Sequence, residues 1–251
     1  MKYIIFFVLI TVSFCFAQTI SHLLPQEQFR KFHKLNVDDG LSQNLVTFIH
    51  QDNQGFLWFG TAGGLDRFDG IEFKTYRNIK GINKQPVYFF SCIENSDSTF
   101  WISTEFGLML FDPITISAEM FVPSTSQTQG MGSKDIHSLT KINDSTLLLG
   151  ITGKGLFKFD INSKKFSIIY DINSMIGRPA PDIVGIIPKD ETTVFVITNN
   201  QVLLYNHDTQ SIKPIAEFPR SVLANCAWFN KEIGSVLIGT TNGVFEFQNN
   251  I

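Results

Sequence analysis

Charged residues are scarce in this chain, and neither sign dominates. Asp, Glu, Lys and Arg make up 17% of the 251 residues, and 20 basic against 23 acidic residues give a formal net charge of −3. The sequence shows no basic stripe, which is the usual electrostatic mark of a nucleic-acid-binding protein. We therefore expect no nucleic-acid partner.

Cysteine and histidine are also rare, which gives no basis for a disulfide framework or a metal centre. Beyond the N-terminal segment the cysteines are Cys92 and Cys226, each in an apolar, strand-like run. We expect two buried free thiols, because a disulfide would require the two strands to be adjacent in space. The five histidines never pair at i, i+2 or i, i+4, the spacing of zinc ligands on one element. No metal or cofactor is expected.

One long apolar run is present, and it lies at the N-terminus. Lys2 precedes the apolar stretch 4–16, and residues 15–17 (CFA) place small residues at the −3 and −1 positions of a cleavage site. This pattern predicts a signal peptide over residues 1–17 and a periplasmic location. A lipid anchor on Cys15 is the alternative, although the bulky Phe14 argues against it. No later run approaches the roughly 20 apolar residues of a spanning helix, so no membrane span is expected beyond the signal peptide.

What the sequence has in abundance is a repeated, aromatic-rich pattern. There are 25 phenylalanines, and one thirteen-residue pattern occurs five times, at 57–69, 100–112, 148–160, 194–206 and 236–248. Its fifth position is always threonine (Thr61, Thr104, Thr152, Thr198, Thr240), and an aromatic follows seven residues later (Phe68, Phe111, Phe159, Tyr205, Phe247). Self-similarity at about 40–50 residues in short β-like runs is the signature of a β-propeller. The expected fold class is therefore all-β.

Each repeat reads as a four-stranded antiparallel meander, the architecture of one propeller blade. In the first repeat, apolar strands at 44–51 and 56–61 are followed by strands at 65–68 and 71–77, with turn residues between them. The other innermost strands are expected near 87–94, 136–142, 183–187 and 222–229. A linker is placed at 18–28 and the propeller at 29–251, with blades near 36–77, 85–122, 134–170, 182–216 and 221–251.

The repeated threonine and aromatic are expected to be structural. A β-branched residue suits a strand, and its hydroxyl can form a hydrogen bond near the turn. The aromatic would pack between neighbouring blades. His50 and His137 fall on innermost strands, and we interpret them as strand residues with satisfied hydrogen bonds.

Two forms of the propeller are compatible with the sequence, a closed ring and an incomplete arc. The fifth repeat reaches Ile251, four residues after Phe247, without a fourth strand. Residues 29–35 (FRKFHKL) resemble such a strand, so they would complete the last blade and close a ring of about five blades. The alternative is an incomplete arc of a larger propeller, which would expose two apolar blade faces.

A binding site is expected where loops converge at one end of the blades. In an up-and-down meander, the turn between the second and third strands lies at the same end as the link between blades. The turns contribute Glu105, Phe106, Lys154, Asn199, Asn200 and Asn242, and the links are Asn78–Pro86, Ser124–Lys134, Arg178–Asp182 and Pro219–Arg220. Amide side chains and an aromatic suit a sugar ligand, and they equally suit ordinary turns.

Signatures of catalysis are missing from the sequence, and we predict no catalytic residue. Gly60, Gly63 and Gly64 are not followed by the lysine and helix of a phosphate loop. No G-x-S-x-G elbow occurs. Paired carboxylates for glycoside cleavage would come from different blades, so their spacing along the chain cannot reveal them.

Residues 39–70 carry a specific resemblance to a known repeat family. They read DGLSQNLVTFIHQDNQGFLWFGTAGGLDRFDG. The two-component regulator propeller repeat reads roughly D-G-L-S-x-N, a strand, Q-D-x-x-G-x-L/I-W-x-G-T and G-L-x-R-x-D-G. The matching residues are Asp39, Gly40, Leu41, Ser42, Asn44, Gln51, Asp52, Gly55, Trp58, Gly60, Thr61, Gly64, Leu65, Arg67, Asp69 and Gly70. The weaker repeats extend the resemblance over residues 29–248.

The resemblance implies the periplasmic sensor region of a hybrid or ordinary histidine kinase, a class that commonly detects oligosaccharides. Only the N-terminal part of such a sensor is matched, since family members usually have more blades, then a β-sandwich, a membrane helix, a dimerisation helix and a kinase. This chain carries no kinase motif, so no enzymatic activity is expected of it. A homodimer would form through the downstream regions.

Three functions are compatible with these observations. The leading hypothesis is an exported propeller that senses a carbohydrate signal for a two-component system. One alternative is an exported enzyme acting on polysaccharide, a lyase or a glycosidase, and another is a non-catalytic protein-interaction scaffold. Propellers host all three, so only the family resemblance favours the first.

Overall fold

The computed structural model describes residues 32–82, 87–123, 135–171, 182–219, 221–230 and 232–248. The chain divides into two compact units, Met1–Leu35 and Asn36–Ile251. Residues 32–35 of the first unit have no regular secondary structure. All described strands lie in the second unit.

The described residues form strands in five consecutive groups, preceded by a short 3-10 helix at Val37–Asp39. Blade 1 is β1 (Val46–Gln51), β2 (Leu57–Thr61), β3 (Gly64–Phe68) and β4 (Phe73–Tyr76). Blade 2 is β5 (Phe89–Glu94), β6 (Phe100–Thr104), β7 (Gly107–Asp112) and β8 (Ser117–Phe121). Blade 3 is β9 (Ile136–Asn143), β10 (Thr146–Ile151), β11 (Gly155–Asp160) and β12 (Lys165–Asp171). Blade 4 is β13 (Ile183–Pro188), β14 (Thr193–Thr198), β15 (Gln201–Asn206) and β16 (Ser211–Glu217). Blade 5 is β17 (Ala224–Asn230), β18 (Ser235–Thr240) and β19 (Gly243–Gln248).

Each group forms its own antiparallel sheet, in which the strands pair in sequence order. Blades 1 to 4 have four strands each, and blade 5 has three among the described residues. The innermost strands of successive blades contact each other in the order β1, β5, β9, β13 and β17. The prediction of an all-β, five-bladed β-propeller is therefore confirmed.

The two ends of the blade series are more exposed than its middle. Among the described residues, β17 and β1 make at most marginal contact with each other. Ile49 of β1, Trp228 of β17 and Val244 of β19 are 65%, 58% and 71% exposed, whereas every residue of β10 is buried. Residues 29–31 lie outside the described residues and residues 32–35 form no strand. The fourth strand expected from 29–35 is thus not observed in the described part of blade 5.

The repeated aromatic packs between neighbouring blades, as predicted. Phe111 of blade 2 lies edge-on to Trp58 of blade 1, with ring centroids 6.0 Å apart. Phe159 of blade 3 meets Trp101 of blade 2 at 5.4 Å. All four rings are at most 2% exposed. Removing each such ring from water contributes about 1.5–3 kcal/mol to folding.

The same contact recurs towards the end of the series. Phe247 of blade 5 lies 6.3 Å from Phe195 of blade 4, and Tyr205 of blade 4 is buried in one cluster with residues of β10. Phe68 differs, because no described blade precedes blade 1. Its ring instead lies 4.7 Å from Phe73 within its own blade.

The repeated threonine closes the hairpin between the second and third strands in four blades. The Oγ1 atoms of Thr61, Thr104, Thr198 and Thr240 donate to the backbone oxygen three residues later, at 2.8–3.0 Å. This bond satisfies a carbonyl at the turn with the residue's own hydroxyl. The predicted structural role is observed in these blades.

Thr152 is the exception. The sequence pattern aligns it with the other four threonines, whereas in the structure Ile151 occupies their position. In blade 3 Ile151 pairs with Gly155, so residues 152–154 form a three-residue turn. The corresponding turns of blades 1, 2 and 5 have two residues. Thr152 consequently lies in the turn, where its buried Oγ1 atom has no hydrogen-bond partner.

The longer turn changes which residue of β10 faces blade 4. Leu148 lies opposite Lys158, just as Trp58 lies opposite Arg67 and Trp101 opposite Leu110. Leu148 therefore occupies the register that holds a tryptophan in blades 1 and 2. An alignment on the threonines would place Leu149 there instead.

The segment before β1 is fixed to blade 1 by buried polar contacts. The carboxylate of Asp66 is fully buried, and it accepts hydrogen bonds from Ser42 Oγ and from Thr75 Oγ1. Ser42 Oγ also lies 2.7 Å from Thr61 Oγ1, and the neighbouring Leu41 is buried. The residues that carry the family resemblance in this segment thus have structural partners.

Neither cysteine is fully buried as predicted, since Cys92 is half-buried and Cys226 is exposed. Cys92 and Cys226 are both free. Enclosure raises the pKa of the Cys92 thiol well above its ordinary value. Cys226 is exposed, because β17 belongs to the terminal blade and lacks the cover that the innermost strands of the middle blades receive.

In the folded chain, we expect N-ethylmaleimide to alkylate Cys226 at least about tenfold faster than Cys92, since the thiolate is the nucleophile and burial suppresses it. Timed labelling followed by peptide mass spectrometry measures both rates. Cys226→Ser should remove the fast phase. Equal labelling of the two thiols before unfolding would contradict the burial of Cys92.

Candidate functional site

The turns between second and third strands are tied to the segments that lead into the innermost strands. The backbone N–H of Glu105 donates to Tyr88 O at 3.2 Å, and the N–H of Asn199 donates to Asp182 O at 2.9 Å. The N–H of Thr241 makes the same bond to the segment before β17, at 2.9 Å. These turns and the ends of the blade-to-blade links therefore lie at one end of the blades.

The six turn residues singled out from the sequence have different local roles. Glu105 Oε1 accepts from the backbone N–H of Tyr88 at 2.9 Å, and the side-chain oxygen of Asn200 lies 2.8 Å from Thr198 Oγ1. Phe106 packs against the core between blades 1 and 2. Three of the six thus help to build their own turns. The other three are Lys154 and Asn199, which are half-buried, and Asn242, which is exposed.

The turn that holds Lys154 is also fixed across a blade boundary. The N–H of Gly153 donates to Asp182 Oδ1 of the next blade at 3.2 Å, and the N–H of Thr152 donates to Asp135 O at 3.0 Å. Of the predicted links, residues 83–86, 124–134, 178–181 and 220 lie outside the described residues.

A feature that sequence analysis missed is a bulge at the same place in every innermost strand. The pairing register with the second strand shifts next to the second residue of each innermost strand, and in β9 it shifts a second time at Ile142. The five residues at the bulges are Thr47, Phe90, His137, Val184 and Asn225. A bulge leaves one residue unpaired and turns its side chain away from the regular alternation, and such irregularities are frequent beside functional sites.

Two bulge residues form an aromatic pair between blades 2 and 3. The rings of Phe90 and His137 are stacked, with centroids 4.3 Å apart and planes inclined by 25°. His137 is exposed and Phe90 is half-buried. Phe90 lies two residues after Tyr88, whose backbone oxygen accepts from the N–H of Glu105. His137 lies two residues after Asp135, whose backbone oxygen accepts from the N–H of Thr152 in the turn that contains Lys154.

This pair gives the turn end a flat surface with polar neighbours. An aromatic face carries partial negative charge, so it attracts the weakly positive C–H groups on one side of a sugar ring. Turn residues with carboxylate, ammonium and amide groups (Glu105, Lys154, Asn199) belong to the same end of the blades. Apolar and aromatic surface with a few placed polar groups is the usual composition of a small-molecule site.

His137 lies on an innermost strand, as predicted, and its exposed ring is stacked on Phe90. The prediction of satisfied hydrogen bonds is wrong for His50. His50, the other strand histidine, has Nε2 3.6 Å from Glu94 Oε2 of blade 2. That separation is too long for a hydrogen bond, so Nε2 of His50 has no hydrogen-bond partner.

Within the described ranges, no three His, Cys, Asp or Glu side chains converge as the ligands of a metal ion would. The same part of the chain contains no helix of sufficient length and apolar character to cross a membrane.

Comparison with known proteins supports the resemblance noted from the motif. The family model described as two component regulator propeller matches residues 40–63. A 40-residue segment is 60% identical to histidine kinase P4 of Formosa agariphila, and it covers 16% of this chain and 3% of that protein.

Solved structures share the fold over most of the chain. The extracellular domain of the hybrid two-component system BT3049 of B. thetaiotaomicron aligns with 87% of this chain and 30% of its own, at a TM-score of 0.70 and 24% identity. The extracellular domain of the one-component system BT4673 from the same organism aligns with 88% of this chain and 28% of its own, at a TM-score of 0.62 and 15% identity. This chain therefore spans less than a third of those structures, and the likeness is one of fold.

The sequence match and the fold point in the same direction. The family model covers the segment that leads into β1, then β1, β2 and the turn after it, where Ser42 and Thr61 make the buried contacts described above. The strands of the remaining blades also pair in sequence order, and the threonine hairpin bond recurs in blades 2, 4 and 5. The chain is thus a five-bladed propeller whose residues 40–63 match the two component regulator propeller model, and it shares the fold of the extracellular domains of BT3049 and BT4673.

Proposed function

We propose that this chain is the exported, ligand-sensing part of a two-component sensor and that its signal is a carbohydrate. The observation that carries the ligand class is the Phe90–His137 pair, stacked at 4.3 Å beside the turns of Glu105 and Lys154. The likeness to extracellular domains supports the location outside the cytoplasm. The N-terminal stretch 1–17 supports secretion into the periplasm.

In this proposal the ligand acts by bridging two blades. A sugar ring stacked on Phe90 and His137 would contact β5 and β9 together, and hydroxyl groups would bind Glu105, Lys154, Asn199 or Asn242. Binding would favour one arrangement of the propeller relative to the regions that follow it in a full sensor. A ligand shifts such an equilibrium only by its difference in affinity for the two arrangements. A homodimeric kinase downstream would convert that shift into phosphoryl transfer.

Binding is favoured over turnover by the state of the nearest acid. The Glu105 carboxylate is held by the N–H of Tyr88 at 2.9 Å, and retaining glycosidases need a second carboxyl about 5 Å away. Asp182, a second acid at this end, is likewise engaged, because its Oδ1 accepts from the N–H of Gly153 at 3.2 Å. The polysaccharide lyase or glycosidase considered as an alternative therefore has less support at this site.

The test is a binding screen of the purified chain against soluble oligosaccharides by thermal shift and calorimetry. For any sugar that binds, Phe90→Ala and His137→Ala should each weaken the affinity about tenfold, as expected of an aromatic that dominates a contact. Trp228→Ala, which removes an exposed aromatic from blade 5, should leave the affinity unchanged. Binding that survives both substitutions would place the site elsewhere, and the absence of any sugar ligand would refute the carbohydrate proposal.

A further inference from the structure

A cavity lies between blades 3 and 4, at the end opposite to the Phe90–His137 pair. Its volume is about 470 Å³, within the range of about 300–1,000 Å³ that is usual for small-molecule pockets. It is lined on one side by β9 to β12 and on the other by β15 and the turn between β15 and β16. None of the six turn residues predicted from the sequence lines it.

The cavity exists because blade 3 has a small residue where blades 1 and 2 have a tryptophan. Leu148 is in the register of Trp58 and Trp101. The two indoles fill the space against the next blade, at 6.0 Å and 5.4 Å from its repeated aromatic. Leu148 cannot fill the same volume, and it lies on the floor of the cavity with Tyr205 of blade 4.

The same comparison of registers explains why the positive charge in the cavity has no aromatic partner. In blade 1 the guanidinium of Arg67 lies 4.2 Å from the ring of Phe56. Lys158 occupies the register of Arg67 in blade 3, and Thr146 occupies that of Phe56. Lys158 thus has no aromatic ring beneath it, and in the described part of the chain no acidic side chain lies within ion-pair distance of its ammonium group.

The opposite wall is fixed in place by contacts of His207. His207 Nε2 lies 2.7 Å from Glu191 O, and His207 Nδ1 lies 3.2 Å from Asp208 Oδ1. Burial raises the pKa of the Tyr205 hydroxyl above its ordinary value, so the phenol at the floor stays neutral. Asp208 adds an exposed carboxylate to this wall, and the cation of the cavity is the Lys158 ammonium.

Uncharged polar groups surround that charge. Ser167 lies directly opposite Lys158 on the neighbouring strand, and Gln210 projects from the turn of blade 4. Asn143 uses its side-chain oxygen to hold Ser145, which leaves its amide N–H₂ as a donor. Apolar surface from Leu148 and its neighbours forms the floor. The arrangement suits a molecule with one anionic group, several hydroxyls and one apolar face.

We propose that this cavity binds a small hydroxylated carboxylate, a sugar acid of about monosaccharide size. The carboxylate would accept a charge-assisted hydrogen bond from Lys158, the strongest class of hydrogen bond available there. Ser167, Asn143 and Gln210 would bind the hydroxyls. The proposal does not depend on the ligand proposed for the turn end, because the two sites share no residue.

The test uses D-glucuronate as the probe and D-glucose as its neutral counterpart, with binding to the purified chain measured by calorimetry and by saturation-transfer NMR. We expect glucuronate to bind and glucose to bind at least about tenfold more weakly. Lys158→Gln, which keeps most of the side chain, should weaken glucuronate binding by about tenfold or more, since a hydrogen bond to a charged group is lost.

Leu148→Trp should abolish glucuronate binding by restoring the indole of blades 1 and 2. Leu237→Trp makes the same change in the same register of blade 5, and it should leave binding intact. Circular dichroism checks that both variants fold. If Leu148→Trp does not fold, Lys158→Gln is the deciding variant. Equal binding of glucose and glucuronate, no binding of glucuronate, or loss through Phe90→Ala but not through Lys158→Gln would each overturn the proposal.

Discussion

Replacing Trp58 by alanine is expected to lower the free energy of unfolding by about 3–5 kcal/mol, the usual cost of removing a buried aromatic. The indole is 2% exposed. Its ring lies 5.3 Å from that of Tyr76, 5.0 Å from Phe100 and 6.0 Å from Phe111. The substitution would therefore leave a cavity at the boundary between blades 1 and 2.

The same substitution removes a hydrogen-bond donor from a buried carboxylate. Trp58 Nε1 donates to Asp52 Oδ2 at 2.8 Å, and Asp52 is itself buried while it holds the turn through the N–H groups of Gln54 and Phe56. Losing one donor to a buried carboxylate adds to the cost of the cavity. Trp58→Phe should recover much of the packing but not this hydrogen bond.

The measurement is chemical denaturation followed by circular dichroism, with Trp228→Ala as the matched control. Trp228 is the same residue type but is 58% exposed, so its removal should change the free energy of unfolding by less than about 1 kcal/mol. If the two alanine variants were equally stable, the indole of Trp58 would not be part of a packed boundary between blades.

The second large effect is expected from Asp66→Ala, with a loss of at least about 2 kcal/mol of folding free energy. The carboxylate is fully buried and accepts from the backbone N–H of Ser42, from Ser42 Oγ and from Thr75 Oγ1. Its removal leaves hydroxyl groups of two segments without their partner. The stretch that leads into β1 would then lose its main polar attachment to blade 1.

A double-mutant cycle separates this network from a general loss of packing. Asp66→Ala and Ser42→Ala should be clearly non-additive, because each removes the same bond. Asp97→Ala gives the control, since Asp97 only caps a turn of blade 2 through Thr99. Full additivity of the Asp66 and Ser42 substitutions would show that the short contact between them contributes nothing to stability.

The blades and the two repeated residues were predictable because their causes are local. A strand of alternating or apolar residues, a turn residue and a threonine beside the turn each act within one hairpin. Phe111, Phe159 and Phe247 then pack on the preceding blade simply because identical units stack in series. Sequence periodicity contains all of this information.

The error at Thr152 has an equally physical cause. Thr152 and Gly155 keep the three-residue separation of Thr61 and Gly64, so the pattern reads as intact although the turn is one residue longer. Which residue pairs with which is decided by hydrogen bonding across the hairpin. The cavity beside Leu148 was hidden for that reason, since the sequence pattern assigns the tryptophan position to its neighbour.

The Phe90–His137 pair and the exposure of Cys226 depend on contacts between blades. A bulge adds an unpaired residue without changing composition, so neither Phe90 nor His137 stands out in its own strand. Comparing the second residue of all five innermost strands would have given a signal. The exposure of Cys226 follows from its place at the end of the series, which no local pattern records.

The stacking of blades in a single file has a consequence for how the molecule opens. Each buried cluster is shared by neighbouring blades, so the propeller behaves as a linear chain of units coupled to their nearest neighbours. Blade 3 shares a buried cluster with both of its neighbours, so we expect its strands to open last among the described blades. Under the proposals made above, a ligand that bridges blades 2 and 3, or 3 and 4, would strengthen one of these contacts between blades. The signal would then be a stiffer boundary between two blades, without a change of conformation within either blade.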